Sequence, residues 1–566
     1  MALIDPHYCA ALSALATCYY EAGNILKASK IFKEAMEIVK EKIGENSQYE
    51  RLKDSYTKCE EKLEKSMSGM ELSKKYYETY GKKMIHERFG EYEDRIAIGL
   101  VGEGSDCFMY DDEYSTDHDF GPDFCMFITE DTYEKIGDEL TKAYNELPDE
   151  INGVKRNTMA SGQGRRGVLI IPQFYKKFIG TDDVSKIDYS TVKDYALAAC
   201  TNGEVFRDDE GIFSEIRNQL KKGYKESIRY MKIAEEAASF SQCAQYNYFR
   251  MLDREDESSA QLLLNDGMKH AMKLYHLICN RYAPHDKWLY RSTRELEGGK
   301  AIALSIDQIL NQFITKTDKR DLKEAIEYLA KTLAEIMYDK NIISDIEPYL
   351  DYHTEELLIK AQIADLPDED IVDKIVRLEF ETFDKVKNEG GRASCQNNWP
   401  TFNVMRRSQY LTWNRDMLIQ YYYDFRRECN LGHNLITEKY GRMMESTDEK
   451  AWNDIKDNFP ELTDEKRGII EQIVAIQMKM MEEFSQNHPK VATNARTLHT
   501  SEDTLYDTSY ETYLRGEIST YSDKMLQLYG KYVVDIFKEG GNIALNTMTN
   551  TAKIYGFSSL EEFESR

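Results

Sequence analysis

Proline is scarce, 10 in 566 residues, and the 31 glycines leave little room for long flexible linkers, which excludes a chain dominated by low-complexity or unstructured segments. The ten cysteines (Cys9, Cys18, Cys59, Cys107, Cys125, Cys200, Cys243, Cys279, Cys395 and Cys429) are scattered singly, with no C-x-x-C pair. That spacing offers neither a zinc ligand set nor a dithiol redox motif, so reduced, mostly buried thiols are expected. Positive charge is in deficit: 74 Lys and Arg stand against 100 Asp and Glu, a formal charge of −26. This opposes nucleic-acid binding through a general electrostatic surface, because phosphate neutralisation needs clustered cations. No apolar run reaches membrane-spanning length, and Met1 to Tyr20 carries neither a basic start nor a small-residue cleavage pattern. The expectation is a cytoplasmic protein with no membrane partner.

What is present is apolar and charged material in helical register, 41% hydrophobic and 31% charged. The length suggests about three or four domains. Residues 8 to 38 read as two helices broken near Gly23, with Leu12, Leu15, Ala16 and Tyr19 on the first and Ala28, Phe32 and Ala35 on the second. A looser helix follows from Tyr49 to Leu63, and another from Gly69 to Phe89. Then the pattern changes. Arg95-Ile-Ala-Ile-Gly-Leu-Val101, Phe124-Cys-Met-Phe-Ile128 and Gly167-Val-Leu-Ile-Ile-Pro172 are short apolar runs that suit buried strands, with a helix over Thr132 to Leu147 between the last two. Beyond about residue 190 the helical period takes over and the remainder is expected to be all-helical; Ile469, Ile473, Ile476, Met480 and Phe484, for example, mark one face. Leu366-Pro-Asp-Glu-Asp370 reads as a connection between two helical units.

The chemistry is concentrated around Val101-Gly-Glu-Gly-Ser-Asp-Cys-Phe108 and Asp117-His-Asp119, with eleven residues between Ser105 and Asp117. A glycine-serine turn after a strand presents backbone amides and a hydroxyl to phosphate. Two carboxylates two residues apart on a strand point to the same face, so Asp117 and Asp119 can both bind Mg²⁺ while His118 points away. This arrangement resembles the nucleotidyltransferase superfamily typified by DNA polymerase β. The resemblance implies two Mg²⁺ ions on Asp117 and Asp119, an NTP substrate whose triphosphate is held by Gly104, Ser105 and the turn amides, and a mixed sheet with flanking helices. Many members carry a third carboxylate on a later strand. Gly167 to Pro172 has none, which leaves Glu204, Asp208 or Asp209, and the loop acids Asp111, Asp112 and Glu113, as alternatives.

More of the chain carries resemblances. Gly69 to Phe127, Asn202-Gly-Glu-Val-Phe-Arg-Asp208 and Arg281-Tyr-Ala-Pro-His-Asp-Lys-Trp-Leu289 are similar to an uncharacterised bacterial nucleotidyltransferase-like domain family over roughly residues 67 to 300. Ser394-Cys-Gln-Asn397, Thr401-Phe402, Met405-Arg406 and the stretch from Ser501-Glu-Asp503 to Glu517 resemble a second uncharacterised helical family. The N-terminal helix pair resembles a tetratricopeptide repeat, with Ala16 and Ala28 where paired helices approach closely. Arg165 and Arg166 are candidates for triphosphate contact through charge-assisted hydrogen bonds, and Lys287 with Trp288 for contact with the nucleotide. Cys395 and His499 do not establish a nucleophile and base.

These readings give an α+β, predominantly helical protein with a small mixed sheet and all-helical N-terminal and C-terminal parts. The expected division is a repeat over 1–66, a nucleotidyltransferase-like domain over 67–190, a helical substrate-binding domain over 191–365 and a C-terminal helical domain over 366–566. The expected activity is Mg²⁺-dependent transfer of a nucleoside monophosphate from an NTP to a hydroxyl or amine of a small molecule or protein. The alternative is a catalytically degenerate nucleotide-binding scaffold with a protein-binding repeat.

Overall fold

The structure is a computed structural model that describes residues 6–22, 25–65, 67–112, 121–156, 164–315, 318–387, 391–493 and 496–565. It is α+β and predominantly helical. The chain divides into two compact units, Met1–Gly223 with Asn280–Ser292, and Tyr224–Cys279 with Thr293–Arg566.

The first unit opens with α1 (Pro6–Glu21), α2 (Ile25–Ile43) and α3 (Ser47–Lys65), packed in sequence around Ala16, Ala28, Phe32, Ala35, Val39 and Leu52. Ala16, Ala28 and Ala35 are fully buried where these helices meet. The helix expected over Gly69 to Phe89 is built as α4 (Gly69–Tyr76), a π-turn over Tyr77–Gly81 and α5 (Lys82–Phe89). The π-turn ends at Gly81, which lies against the Phe124 ring, where a Cβ would come within 2.5 Å.

The sheet follows. β1 (Ala97–Leu100) and β2 (Cys125–Ile128) are antiparallel, and β2 runs into α6 (Glu130–Asn145), capped by the Thr129 side chain on Thr132 N–H. A small hairpin of β3 (Glu150–Ile151) and β4 (Val154–Lys155) precedes β5 (Gly167–Ile170), which lies parallel to β2 and leads straight into α7 (Ile171–Ile179). After α8 (Asp194–Thr201) comes a strand where only helix was expected: β6 (Glu204–Arg207), antiparallel to β1, before α9 (Ile212–Leu220). The order is β5-β2-β1-β6. Ile96, Ile98, Phe124, Met126 and Ile128 pack with residues of α4, α5 and α6, while Phe127 stacks on Phe213 of α9 at 3.9 Å and meets Phe174 of α7 at 5.1 Å. Both faces are therefore covered, which is why β1 and β2 read as unbroken apolar runs.

In the second unit the helix Glu226–Phe240 packs against Glu257–Ile278 and Thr354–Ala361. A large core joins the helices Asp368–Phe383, Arg415–Asn430, Asp464–Asn487 and Asp523–Lys538. Two details differ from the sequence pattern. Asp368, Glu369 and Asp370 form the first turn of a helix, where their charge complements the N-terminal amides, rather than a linker. The buried face of Asp464–Asn487 is set by Ile470, Ile473, Val474, Met480 and Phe484, whereas Ile469 is 40% exposed, so the stripe starts one residue later than expected. Among the described residues no helix is long and apolar enough to cross a membrane.

Candidate functional site

Strand register brings four chain segments to one end of the sheet. β1 ends there at Leu100, next to Glu204 at the start of β6, and Gly99 pairs with Cys125 at the start of β2, which in turn pairs with Gly167 at the start of β5. The Gly102–Ser105 turn, Asp123, Arg165–Arg166 and Asn202–Glu204 thus adjoin one another in the fold.

The turn itself is shaped by glycines and locked by side chains. Gly102 and Gly104 have φ of 120° and 125°, a region that disfavours any side chain. At Gly104 there is no room either, because a Cβ would lie 2.3 Å from an Asp106 oxygen. Asn202 pins the turn from the far side: its Oδ1 accepts from Gly102 N–H at 2.9 Å and its Nδ2 donates to Gly102 C=O at 2.8 Å. Arg166 pins it from within. Its Nη2 donates to both Asp106 carboxylate oxygens at 2.9 and 3.0 Å, and both terminal nitrogens reach the Glu103 carbonyl at 3.2 Å. Asp106 is 2% exposed and also accepts from Cys107 N–H. Arg166, named from sequence as a phosphate ligand, is thus committed to a buried ion pair that builds the turn. Ser105 sits between Gly104 and this pair, and its carbonyl accepts from Phe108 and Tyr110 N–H.

Arg165 takes a different course. Its Nε lies 3.0 Å from Glu103 Oε2, and Lys177 of α7 reaches the same oxygen at 2.8 Å. Burial pushes the Glu103 carboxyl up, but Lys177 and the two arginines outweigh it and hold the group below its usual value. Beside this cluster a cavity of about 340 Å³ runs between Val101, the edge strand β5 and the Phe174 and Phe178 rings of α7. Lys177 and Asn202 were not singled out from sequence. Asn202 lay in the motif quoted for resemblance, but a lone helical lysine carries no signal.

Lys287 is the second residue of the helix Asp286–Glu295 and lies over the ring of its neighbour Trp288 at 4.3 Å. Trp288 packs on Phe108 at 4.8 Å, and Arg291 donates to the Met109 and Tyr110 carbonyls at 3.2 Å, so this helix abuts the segment just after the Gly-Ser turn. Asp117, Asp119 and Glu113 lie outside the described residues. The other nearby acids have defined partners. Asp111 accepts from Gly69 N–H at 2.7 Å, and Asp123 pairs with Arg156 at 2.8 Å and accepts from Tyr144. Asp208 caps α9 through Gly211 and Ser214 N–H, Asp209 pairs with Arg207, and Glu204 pairs with Lys74 at 2.6 Å. Among the described residues no group of three or more His, Cys, Asp or Glu side chains forms a metal site. Cys107 and Cys125 are fully buried, and burial raises both thiols, Cys125 to about 11, so neither is a nucleophile at neutral pH.

The second unit has a polar centre of its own that spacing along the chain did not reveal. Arg406 pairs with Glu379 at 2.6 Å and Glu517 at 2.8 Å, Lys439 pairs with Glu517, and Tyr410 and Tyr421 donate to Glu379 at 2.6 and 2.7 Å. All are buried. Burial raises Glu517, but Arg406 and Lys439 prevail and hold it far below its ordinary value.

A family model described as "Domain of unknown function (DUF4037)" matches residues 189–289, and one described as "Protein of unknown function (DUF4125)" matches residues 369–565. The first spans α8, β6, α9 and the Arg281–Leu289 segment; the second holds the Glu379–Arg406–Glu517 network. No curated protein and no solved structure matched the chain.

Proposed function

We propose that the chain is a magnesium-dependent nucleotidyltransferase that moves a nucleoside monophosphate from an NTP to a hydroxyl or amine of a small molecule or protein. The observation that carries this reading is the convergence of the Gly104-Ser105 turn with the starts of β2, β5 and β6 at one end of a mixed sheet, beside a cavity. The match to DUF4037, a nucleotidyltransferase-like family, supports it.

In this reading the acceptor oxygen or nitrogen attacks the α-phosphorus, the bond to the β-phosphate oxygen breaks, and pyrophosphate leaves. Asp117 and Asp119 are assigned to two Mg²⁺ ions, which supply Lewis acidity at the triphosphate. The fit rests on donor chemistry: these are hard carboxylate oxygens two residues apart, while Asp106, Asp123 and Glu103 are already taken by arginine or lysine. The turn amides around Gly104 and Ser105 bind the triphosphate, held in place by Asn202 and Arg166. For the acceptor proton the candidates are Glu204, Asp208 and Asp209, engaged respectively by Lys74, by the first turn of α9 and by Arg207; Glu204 is the one that stands beside Leu100 at the same sheet end, and in this role it would exchange Lys74 for the acceptor.

The test is pyrophosphate release from each of the four NTPs in Mg²⁺ with a cell extract as acceptor source. Release by the wild type that disappears in the Asp117→Asn, Asp119→Asn variant is expected. Undiminished release in that variant refutes the metal assignment.

One observation favours a second reading, a nucleotide-binding scaffold without turnover. β5, the strand beside β2, offers only Val168, Leu169 and Ile170 where many members of the superfamily place a carboxylate. Metal-dependent NTP binding with no pyrophosphate release would select it, and the N-terminal helices would then serve as a protein-docking repeat.

A further inference from the structure

The second unit holds a cavity of about 330 Å³ between the helices Arg415–Asn430 and Leu435–Thr447, the segments around Ser344 and Pro460, and Ser519–Asp523. Its walls carry seven carboxylates against two arginines, one lysine and one histidine. Part of that charge is matched on the walls themselves: Arg442 lies 2.6 Å from Glu438, His433 lies 2.8 Å from Glu428, and Lys466 lies 3.1 Å from Asp523. With every group ionised, His433 included, and with Lys360 added to the cations, the carboxylates still exceed them by two.

Two of the wall carboxylates are buried, Asp424 at 7% exposed and Glu356 at 3%. Asp424 accepts from Ser522 at 2.6 Å and from Gln420 at 2.8 Å, both uncharged. Lys360, which acts on Asp424, is directed elsewhere: it donates to Gln420 Oε1 at 2.9 Å and to the Ile342 carbonyl at 3.2 Å, and stands 2.7 Å from Glu356 Oε1. Arg427 acts on Asp424 without an ion-pair contact among the described residues, and Lys524 acts on Glu356 while bonded to the Tyr338 carbonyl, with Asp339 and Asp416 acting on it in turn. Beyond the Lys360 contact, Glu356 Oε1 accepts no hydrogen bond among the described residues. A buried carboxylate oxygen left without a hydrogen bond is costly, and a bound molecule that donates there relieves the cost. The cavity volume sits at the small end of the roughly 300–1,000 Å³ range of ligand pockets, and Tyr352, Tyr423 and Leu435 supply apolar wall.

We propose that this cavity binds a small aliphatic diamine, one ammonium donating to Asp424 and Glu356, the other meeting the exposed carboxylates Asp345 or Glu461, and the hydrocarbon between them resting against Tyr352 and Tyr423. Two ammonium groups match the excess of two carboxylates. A metal ion fits less well, because among the described residues no three His, Cys, Asp or Glu side chains converge to hold one. The diamine site is independent of the nucleotidyltransferase reading.

The experiment is calorimetric titration of 1,4-diaminobutane, 1-aminobutane, 1,4-butanediol and Mg²⁺ into the full chain, Asp424→Asn and Asp321→Asn. It is run at pH 8, where Asp424, which burial pushes up to about 7, is ionised. Asp321→Asn makes the same change of charge at an exposed helix start outside the cavity, and so controls for general attraction of cations to a chain of formal charge −26. The diamine is expected to bind the wild type and Asp321→Asn alike and Asp424→Asn about tenfold more weakly or worse, because a charge-assisted contact is lost. The monoamine is expected to bind at least about tenfold more weakly than the diamine, and the diol not at all. Equal affinity of the diamine for Asp424→Asn and Asp321→Asn overturns the site. Mg²⁺ binding as tightly as the diamine, with the same loss in Asp424→Asn, overturns the choice of an amine. Should Asp424→Asn fail to fold, the wild type decides: no detectable diamine binding, or a diamine no tighter than the monoamine, overturns the proposal.

Discussion

Arg166→Met should unlock the turn at the centre of the candidate site. The guanidinium is 11% exposed and the Asp106 carboxylate 2%, and methionine retains the aliphatic volume while leaving Asp106 as a buried carboxylate with no cation at its two oxygens. Removing one partner of a buried pair costs about 3–5 kcal/mol, because the remaining charge keeps its desolvation penalty without its compensation. Asp106→Asn should cost less, about 1–3 kcal/mol, since the amide oxygen can still accept from Cys107 N–H and Arg166 keeps the Glu103 carbonyl. The double variant no longer contains a buried charge without its partner, so its cost should fall short of the sum of the two by about 2 kcal/mol or more. Hydrogen exchange of peptides spanning Gly99–Tyr110 reads the local opening free energy, with peptides from the helix Asp464–Asn487 as an internal reference in the other unit. Additive costs within about 0.5 kcal/mol, or an Arg166→Met cost below about 1 kcal/mol, would refute the reasoning that this pair builds the turn.

Three further outcomes follow from the same structure. Gly203→Ala should detach β6 from β1, because φ is 65° and the new Cβ would lie 1.9 Å from the Leu100 carbonyl oxygen; a cost of at least about 2 kcal/mol, seen as faster exchange of Gly99 and Leu100, is expected. Arg406→Met should lower the thermal midpoint of the second unit sharply, by about 3–5 kcal/mol of stability, since Glu379 and Glu517 would remain buried with Lys439 as the cation at Glu517; a near-silent substitution would contradict the network's role. Asp424 is pushed up to about 7 from 3.8 by burial, while Ser522 and Gln420 bond to it and Lys360 lies near. The folded state therefore holds this proton more tightly than the unfolded one, and the contribution is fully present below pH 4 and lost as pH rises towards and through 7, of order 4 kcal/mol in all. Asp424→Asn, which cannot ionise, should gain on the wild type in thermal midpoint between pH 4 and 8, and parallel pH profiles would refute the assignment.

The strands β1, β2 and β5 were legible because a strand covered on both faces is an apolar run, and Ile96–Val101 and Phe124–Ile128 are buried at nearly every position. β6 was not. Glu-Val-Phe-Arg has charge at both ends, and as an edge strand all four of its residues are only half-buried, so neither alternation nor a run marks it. Glycine at 102 and 104 signalled the turn, yet the residues that hold the turn, Asn202 and Arg166, sit 100 and 63 residues away from Gly102 and Glu103 respectively, and a side chain's partner at that separation leaves no local trace. The same holds for Arg406 and Glu517, 111 residues apart, which stood in separate motifs quoted for resemblance with nothing to pair them and turn out to be the middle of a core. Arg165 and Arg166 are adjacent in sequence and divide their work: one lines the cavity and the other builds the turn.

The most direct test of the central claim is to supply acceptor extract and Mg²⁺ with NTP labelled either at the α-phosphate or at the γ-phosphate, and to ask which label becomes attached to an acceptor. A nucleotidyltransferase transfers the α-label, leaves the γ-label in pyrophosphate, and loses the transfer when Asp117 and Asp119 become asparagine. Transfer of the γ-label, or α-label transfer that survives the double substitution, would contradict the account.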